Sequence, residues 1–219
     1  RLQLDGTFLS PALQYEADVE LRTSPDGSEP MRLQDFYMDY AWDPAIRLRA
    51  GQFKIPYAYQ FILSGTRLQF NERSIANGAF SPGRDLGLML HGHNEADTLN
   101  YATGIFNGEG QNQWDRNQRP AALAHVRWNP LGQYPTEESD FQRLPDPRVL
   151  FSAQSWWDTD EERGLMIDTS GFAGFKYQGF SLQGQLFFRE NVGDSASELS
   201  HRDAWGCYAQ TGYFFLPDW

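Results

Sequence analysis

From Leu13 to Arg22 apolar and polar side chains alternate almost without a break. Leu13, Tyr15, Ala17, Val19 and Leu21 share one side, and Gln14, Glu16, Asp18, Glu20 and Arg22 the other. Successive side chains of a strand point to opposite faces, so a repeat of two predicts a strand with one apolar face. The pattern returns with Gln34, Phe36, Met38, Tyr40 and Trp42 against Leu33, Asp35, Tyr37, Asp39 and Ala41. It returns again with Ile46, Leu48 and Ala50 against Arg47, Arg49 and Gly51. Asp43-Pro44-Ala45, between these two runs, is a tight-turn sequence.

Carried along the chain, the pattern predicts strands at 2–8, 13–22, 31–42, 46–54, 86–93, 98–106, 121–129, 148–158, 164–177, 180–190 and 204–215. Their connections sort into two alternating sets. One set is short (9–12, 43–45, 94–97, 178–179), with 130–147 as its exception. The other is longer (23–30, 55–85, 107–120, 159–163, 191–203). A transmembrane up-and-down barrel has short turns at one rim and long loops at the other. A sandwich with Greek-key crossovers gives no reason for such sorting. The expected fold is therefore all-β, a transmembrane antiparallel up-and-down β-barrel, with 1–219 as a single domain. Aromatic residues at strand ends fit interfacial girdles. These are Tyr40 and Trp42, Trp128, Trp156 and Trp157, Tyr177 and Phe180, and Tyr213 and Phe215.

Composition narrows this picture. The chain has 219 residues, 40% hydrophobic and 15% aromatic, with no apolar run long enough for a membrane helix. The ten residues of 13–22 match the length of a tilted membrane strand, roughly 9–11 residues. Eighteen basic against 29 acidic residues give a net charge of −11, which argues against nucleic acid as a partner. Lys54 and Lys176 are the only lysines. The single cysteine, Cys207, rules out an intrachain disulfide and reads as an inert buried or lipid-facing thiol beside Trp205 and Ala209. Arg1 is neither an initiator methionine nor part of a signal peptide, and the chain reads as processed or incomplete at its front.

Several segments carry a resemblance. Gly51-Gln52-Phe53-Lys54-Ile55-Pro56 is followed by Phe70-Asn71-Glu72-Arg73-Ser74 and by Ala79-Phe80-Ser81-Pro82-Gly83-Arg84-Asp85-Leu86-Gly87. Then come Leu90-His91-Gly92, Gly104-Ile105-Phe106-Asn107-Gly108, Asn129-Pro130-Leu131-Gly132 and the stretch from Gly206 to Phe214. In order and spacing these resemble the phosphate- and polyphosphate-selective porins, the O/P porins. The resemblance implies a barrel of about sixteen antiparallel strands in the bacterial outer membrane, assembled as a homotrimer. The chain then corresponds to about eleven of those strands. It also implies that the connection 55–85 folds into the barrel and constricts it.

In such a barrel the polar faces line the lumen. Glu16, Asp18, Glu20, Asp35 and Asp39 then form an acidic wall, with Arg47, Arg49, Arg127 and Arg189 as the inward arginines. The hairpin at 43–45 places Asp39 beside Arg47 or Arg49. Two readings stand: charge pairs that make the lining tolerable, or a transverse field that orients ionic solutes. Relatives that select phosphate line their pores with basic residues, and this chain departs from that. Weak or absent cation preference is the expectation. The long connection carries Arg67, Glu72, Arg73, Arg84 and Asp85, either as braces against the wall or as solute contacts. Asn77-Gly78 and Pro82-Gly83 are expected to turn the chain inside the lumen.

His91 and His93 share a face but read as polar lining, and no metal is expected. The acidic stretch 158–162 lacks the spacing of a calcium loop, and could share divalent cations with lipopolysaccharide. No G-x-S-x-G elbow is present, so enzymatic activity has no support, and no cofactor is implied. The expected work is passive diffusion of small hydrophilic solutes or ions, phosphate-type anions among them, with outer-membrane lipid and lipopolysaccharide around the barrel. Two rivals are a porin-derived scaffold contacting envelope proteins, and an aromatic-rich sandwich that binds glycans. Whether the apolar faces point out to lipid or in to a core separates the sandwich from the barrel.

Overall fold

The computed structural model describes residues 1–21, 31–160, 164–192 and 203–215. It holds eleven strands: β1 (Leu2–Phe8), β2 (Ser10–Leu21), β3 (Met31–Asp43), β4 (Ile46–Lys54), β5 (Arg84–His93), β6 (Leu99–Phe106), β7 (Ala121–Trp128), β8 (Arg148–Asp160), β9 (Gly164–Tyr177), β10 (Phe180–Val192) and β11 (Ala204–Tyr213). They form one sheet in strict chain order, β1 to β11. Every neighbouring pair is antiparallel. This is the up-and-down architecture the alternation predicts. Among the described residues β1 and β11 do not pair, so the sheet is not closed.

Several boundaries differ from the sequence pattern, and cross-strand pairing accounts for them. β2 begins at Ser10 because Phe8 pairs with it, leaving Leu9 alone at the turn with φ of 63°. β5 begins at Arg84 because Lys54 pairs with Arg84 and Phe53 with Asp85. Arg84 and Asp85 are thus strand residues and not loop residues. β8 extends to Asp160 by pairing with Gly164. The acidic stretch is therefore strand up to Asp160, and Glu161 and Glu162 lie outside the described residues, as do Arg22 and the connections 23–30 and 193–202.

The two faces are chemically distinct. Phe36, Met38, Leu48, Leu88, Phe151, Leu182 and Leu186 are all exposed on one face, with Cys207 and Trp205 on the same side. On the opposite face Asp35, Asp39, Gln154, Asp168, Ser170, Gln183 and Gln185 are buried. No helix is long and apolar enough to cross a membrane. Strand apolar faces turned outward exclude the sandwich, whose apolar faces would meet each other.

A band of exposed aromatics lies at the rim that carries the short turns, while Phe188, Trp205 and Trp114 are exposed toward the long-loop rim. Tyr40 meets Trp42 edge-on at 4.8 Å, and Trp128 lies 6.0 Å from Phe151. Tyr177, Phe180 and Tyr213 complete the band. Trp156 is not part of it. Its side chain is buried on the inner face, 5.4 Å from Phe106. The reason is parity: Leu150, Ser152, Gln154 and Trp156 share the inner side of β8.

The inner face is not purely polar. Phe53, Met89, Ala102, Phe106, Ala121, Leu123, Trp156 and Phe187 form one buried cluster with Ile55, Tyr57, Ala58 and Phe80 of the connection after β4. Ala204 and Tyr208 of β11 pack against the same cluster. Neighbouring strands sit ~4.8 Å apart, so β4 and β11 would lie about 34 Å apart in a flat sheet. Their convergence on one cluster requires the sheet to curl around that connection.

Candidate functional site

The connection between β4 and β5 lies against the inner face. It carries α1 (Tyr59–Ile62), a single 3-10 turn at Gly65–Arg67, and α2 (Ile75–Phe80). Ser74 caps α2 by accepting from the backbone N–H of Asn77 at 3.1 Å. Asn77-Gly78 is therefore helical and not a turn. The chain reverses instead at Pro82-Gly83, where Gly83 takes φ of 81°.

A polar ladder on β8, β9 and β10 fastens the start of this connection. The Gln185 side-chain oxygen accepts from the Tyr59 backbone N–H at 3.0 Å, and its amide donates to the Tyr57 carbonyl at 3.3 Å. Ser170 joins Gln185 to Gln154. Tyr59 stacks on Phe172 at 4.0 Å and Phe80 on Phe187 at 5.4 Å. Gly206 makes room for this packing: a Cβ there would stand 2.7 Å from the Phe80 ring. Burial pushes the Tyr57 and Tyr59 hydroxyls upward, so both stay protonated at neutral pH.

A second connection enters from the opposite rim. Residues 129–147 also fold over the inner face, with Tyr134, Glu138 and Asp140 buried. The Glu138 N–H donates to the Arg67 carbonyl at 3.1 Å. Its carboxylate accepts from the Gln69 N–H at 2.6 Å, from Gln60 at 2.9 Å and from Gln183 at 3.0 Å. Lys176, fully buried, donates to the carbonyls of Pro135 and Glu137. The sequence reading missed this element. Its signal was the length of 130–147 among otherwise short connections.

Asp18, Asp35 and Asp39 are buried and ion-paired, and Glu16 and Glu20 accept hydrogen bonds. Asp18 pairs with Arg1. Asp35 pairs with Arg84 at 2.8 Å. Asp39 receives Arg47 and Arg49 at 2.9 Å each and His91 at 2.8 Å. Glu16 accepts from the Tyr37 hydroxyl and Glu20 from Gln34, both at 2.7 Å. Glu16, Asp18 and Asp35 bring oxygens within 4.8 Å of one another, each already engaged as described. Arg189 holds Asp168 through two bonds of 2.6 Å. Arg127 reaches Asn129 and the Tyr134 carbonyl.

Lys54, at the end of β4, and the basic groups Arg67 and Arg73 of the long connection behave differently. Arg73 donates to the carbonyls of Gln60 and Leu63, and Lys54 to those of Ile62 and Leu63. Arg67 donates to Thr136 at 2.8 Å. Among the described residues none of the three has a carboxylate within ion-pair distance. Glu72 is exposed and does not hold Arg73. Burial and the neighbouring Arg84 draw the Arg73 guanidinium downward, yet it remains charged. Asp85 serves backbone donors, taking the N–H groups of Leu86 and Gly108.

These groups border a cavity of about 870 Å³ at the long-loop rim. Six basic side chains line it (Arg1, Arg49, Lys54, Arg67, Arg73, Arg84) against three acidic ones (Glu16, Glu20, Asp35). A second cavity of about 700 Å³, at the short-turn rim, is lined by Arg127 and Arg148 with Asp97, Asn100 and Gln133. The contact between the two in-folded connections lies between them.

An outward apolar face, an aromatic band at one rim and charged cavities inside are the features of a porin-type antiparallel β-sheet. The chain belongs to the phosphate-selective porin O and P family, whose profile matches residues 1–219. No curated protein and no solved structure matches it.

Proposed function

We propose that this chain lines an outer-membrane pore through which small anions diffuse. The observation that carries the reading is the cavity at the long-loop rim, with six basic groups to three acidic ones. Of the six, Arg1, Arg49 and Arg84 are held by Asp18, Asp39 and Asp35, while Lys54, Arg67 and Arg73 bond only neutral groups. In a confined, partly dehydrated space such groups replace an anion's lost water with charge-assisted hydrogen bonds. This reading departs from the weak or absent cation preference expected from the acidic strand 13–22; of the inward carboxylates Asp18, Asp35 and Asp39 are held by arginines. Membership of a phosphate-selective family supports inorganic phosphate as one solute.

In this reading the connection after β4 narrows the lumen, and the outward leucines and phenylalanines meet lipid. Assembly as a homotrimer is proposed from the family resemblance. The experiment is chloride current through single channels of the full-length protein, with inorganic phosphate added on one side. Concentration-dependent block by phosphate is expected. Chloride current indifferent to phosphate would remove phosphate as a solute that shares the site. Absence of any current would favour the scaffold reading.

A further inference from the structure

Glu138 stands out among the groups that pore lining does not explain. It is 1% exposed, belongs to the connection that enters from the short-turn rim, and has no cation as a partner among the described residues. Its carboxylate instead gathers three neutral donors: Gln69 and Gln60 from the long connection and Gln183 from β10. Burying a carboxylate on neutral donors is costly unless every lone pair is used, so such an arrangement fixes geometry tightly.

What it fixes is the basic rim. Gln60 is the hub: its side-chain oxygen accepts from the Ser74 N–H at 2.9 Å, and its carbonyl accepts from Arg73 at 2.8 Å. Its amide is committed to Glu138 and Gln210. Arg67 is bound twice to the entering connection, by its carbonyl to the Glu138 N–H and by its guanidinium to Thr136. Both arginines therefore stand where they do through contact with Glu138 or its immediate neighbours.

We propose that Glu138 is a positioning residue for ion selectivity: it fastens two connections from opposite rims and thereby holds Arg67 and Arg73 at the cavity between them. This rests on the pore reading above. Without the carboxylate, the Gln69 N–H and the amides of Gln60 and Gln183 lose their acceptor. That junction already carries buried, unpartnered polar atoms at the Tyr59 and Tyr208 hydroxyls and at Gln183 Oε1, and stranding three donors adds to that cost. The Glu138 N–H and Thr136 contacts to Arg67 remain, but the side-chain tie is lost, so the connections loosen, the lumen widens and the arginines are held less firmly.

The test compares wild type with Glu138→Ala in planar bilayers. Conductance is expected to rise by about twofold or more while the anion-to-cation permeability ratio falls. A merely structural role would lower the yield of folded barrel and leave selectivity unmoved in the channels that form. Channels of unchanged conductance and selectivity would overturn the positioning role while leaving the pore reading intact; no channels from wild type would overturn the pore reading itself. Should the variant not fold, amide hydrogen exchange on the wild-type protein decides. The Gln69 and Glu138 amides are expected to exchange about 100-fold slower than free peptide. Exchange at the free-peptide rate would show that the two connections are not joined.

Discussion

Asp39 shows how a single carboxylate sets local charge. It is buried, and Arg47, Arg49 and His91 all converge on it. Asp39→Asn removes one negative charge and leaves two arginines without a counter-ion. The variant is expected to lose about 2 kcal/mol of stability, since hydrogen bonds to charged groups are the stronger class. Its reversal potential is expected to move further toward anions, and a shift toward cations would show that the freed arginines do not face the solute path. Gly206 tests packing. Gly206→Val places methyl groups against the Phe80 ring, and overpacking of this kind costs about 1–3 kcal/mol. The barrel is expected to lose resistance to heat-induced unfolding by gel mobility, whereas wild-type resistance would mean that Phe80 moves aside freely.

The strands were largely legible before the fold was known, because one face had to be apolar. Leu88, Leu182 and Leu186 are exposed on the outer side, where the alternation places them. The in-folded elements were legible only in part. The period-two rule assigns polar residues to the lumen, yet Phe53, Phe106, Leu123, Trp156 and Phe187 point inward. They do so because an apolar connection lies on top of them, a long-range fact with no local signature. The pairing of Arg84 with Asp35 was hidden for the same reason: the residues stand 49 positions apart and meet only through strand register. The turn at Asp43-Pro44-Ala45 needed no such help, being set by proline and by Asp43 accepting from the Ala45 N–H. At this scale the sharpest variant is Phe80→Ala, which removes the ring stacked on Phe187. Truncating a buried phenylalanine costs roughly 3–5 kcal/mol, here borne by the connection more than by the sheet. Single-channel conductance is expected to rise as the connection loosens. Unchanged conductance would mean that residues 57–83 do not narrow the path.

For the molecule as a whole, the claim is an inside-out distribution: apolar groups outward, charge and in-folded connections within. Leu186 is 67% exposed on the outer face of β10, whereas its neighbour Gln185 is buried within. Leu186→Arg is expected to cost about 2–4 kcal/mol for folding into a bilayer if the site lies near the midplane. The same variant folded into detergent and into liposomes should show the penalty chiefly in the lipid, and equal stability in both would contradict an outer face that meets acyl chains. The central claim concerns the current itself. The most direct measurement is the zero-current potential across a potassium chloride gradient, for wild type and for Lys54→Gln combined with Arg67→Gln. The account predicts a potential of the sign set by chloride in wild type, and one closer to zero in the double variant. A potential of the sign set by potassium in wild type would contradict it.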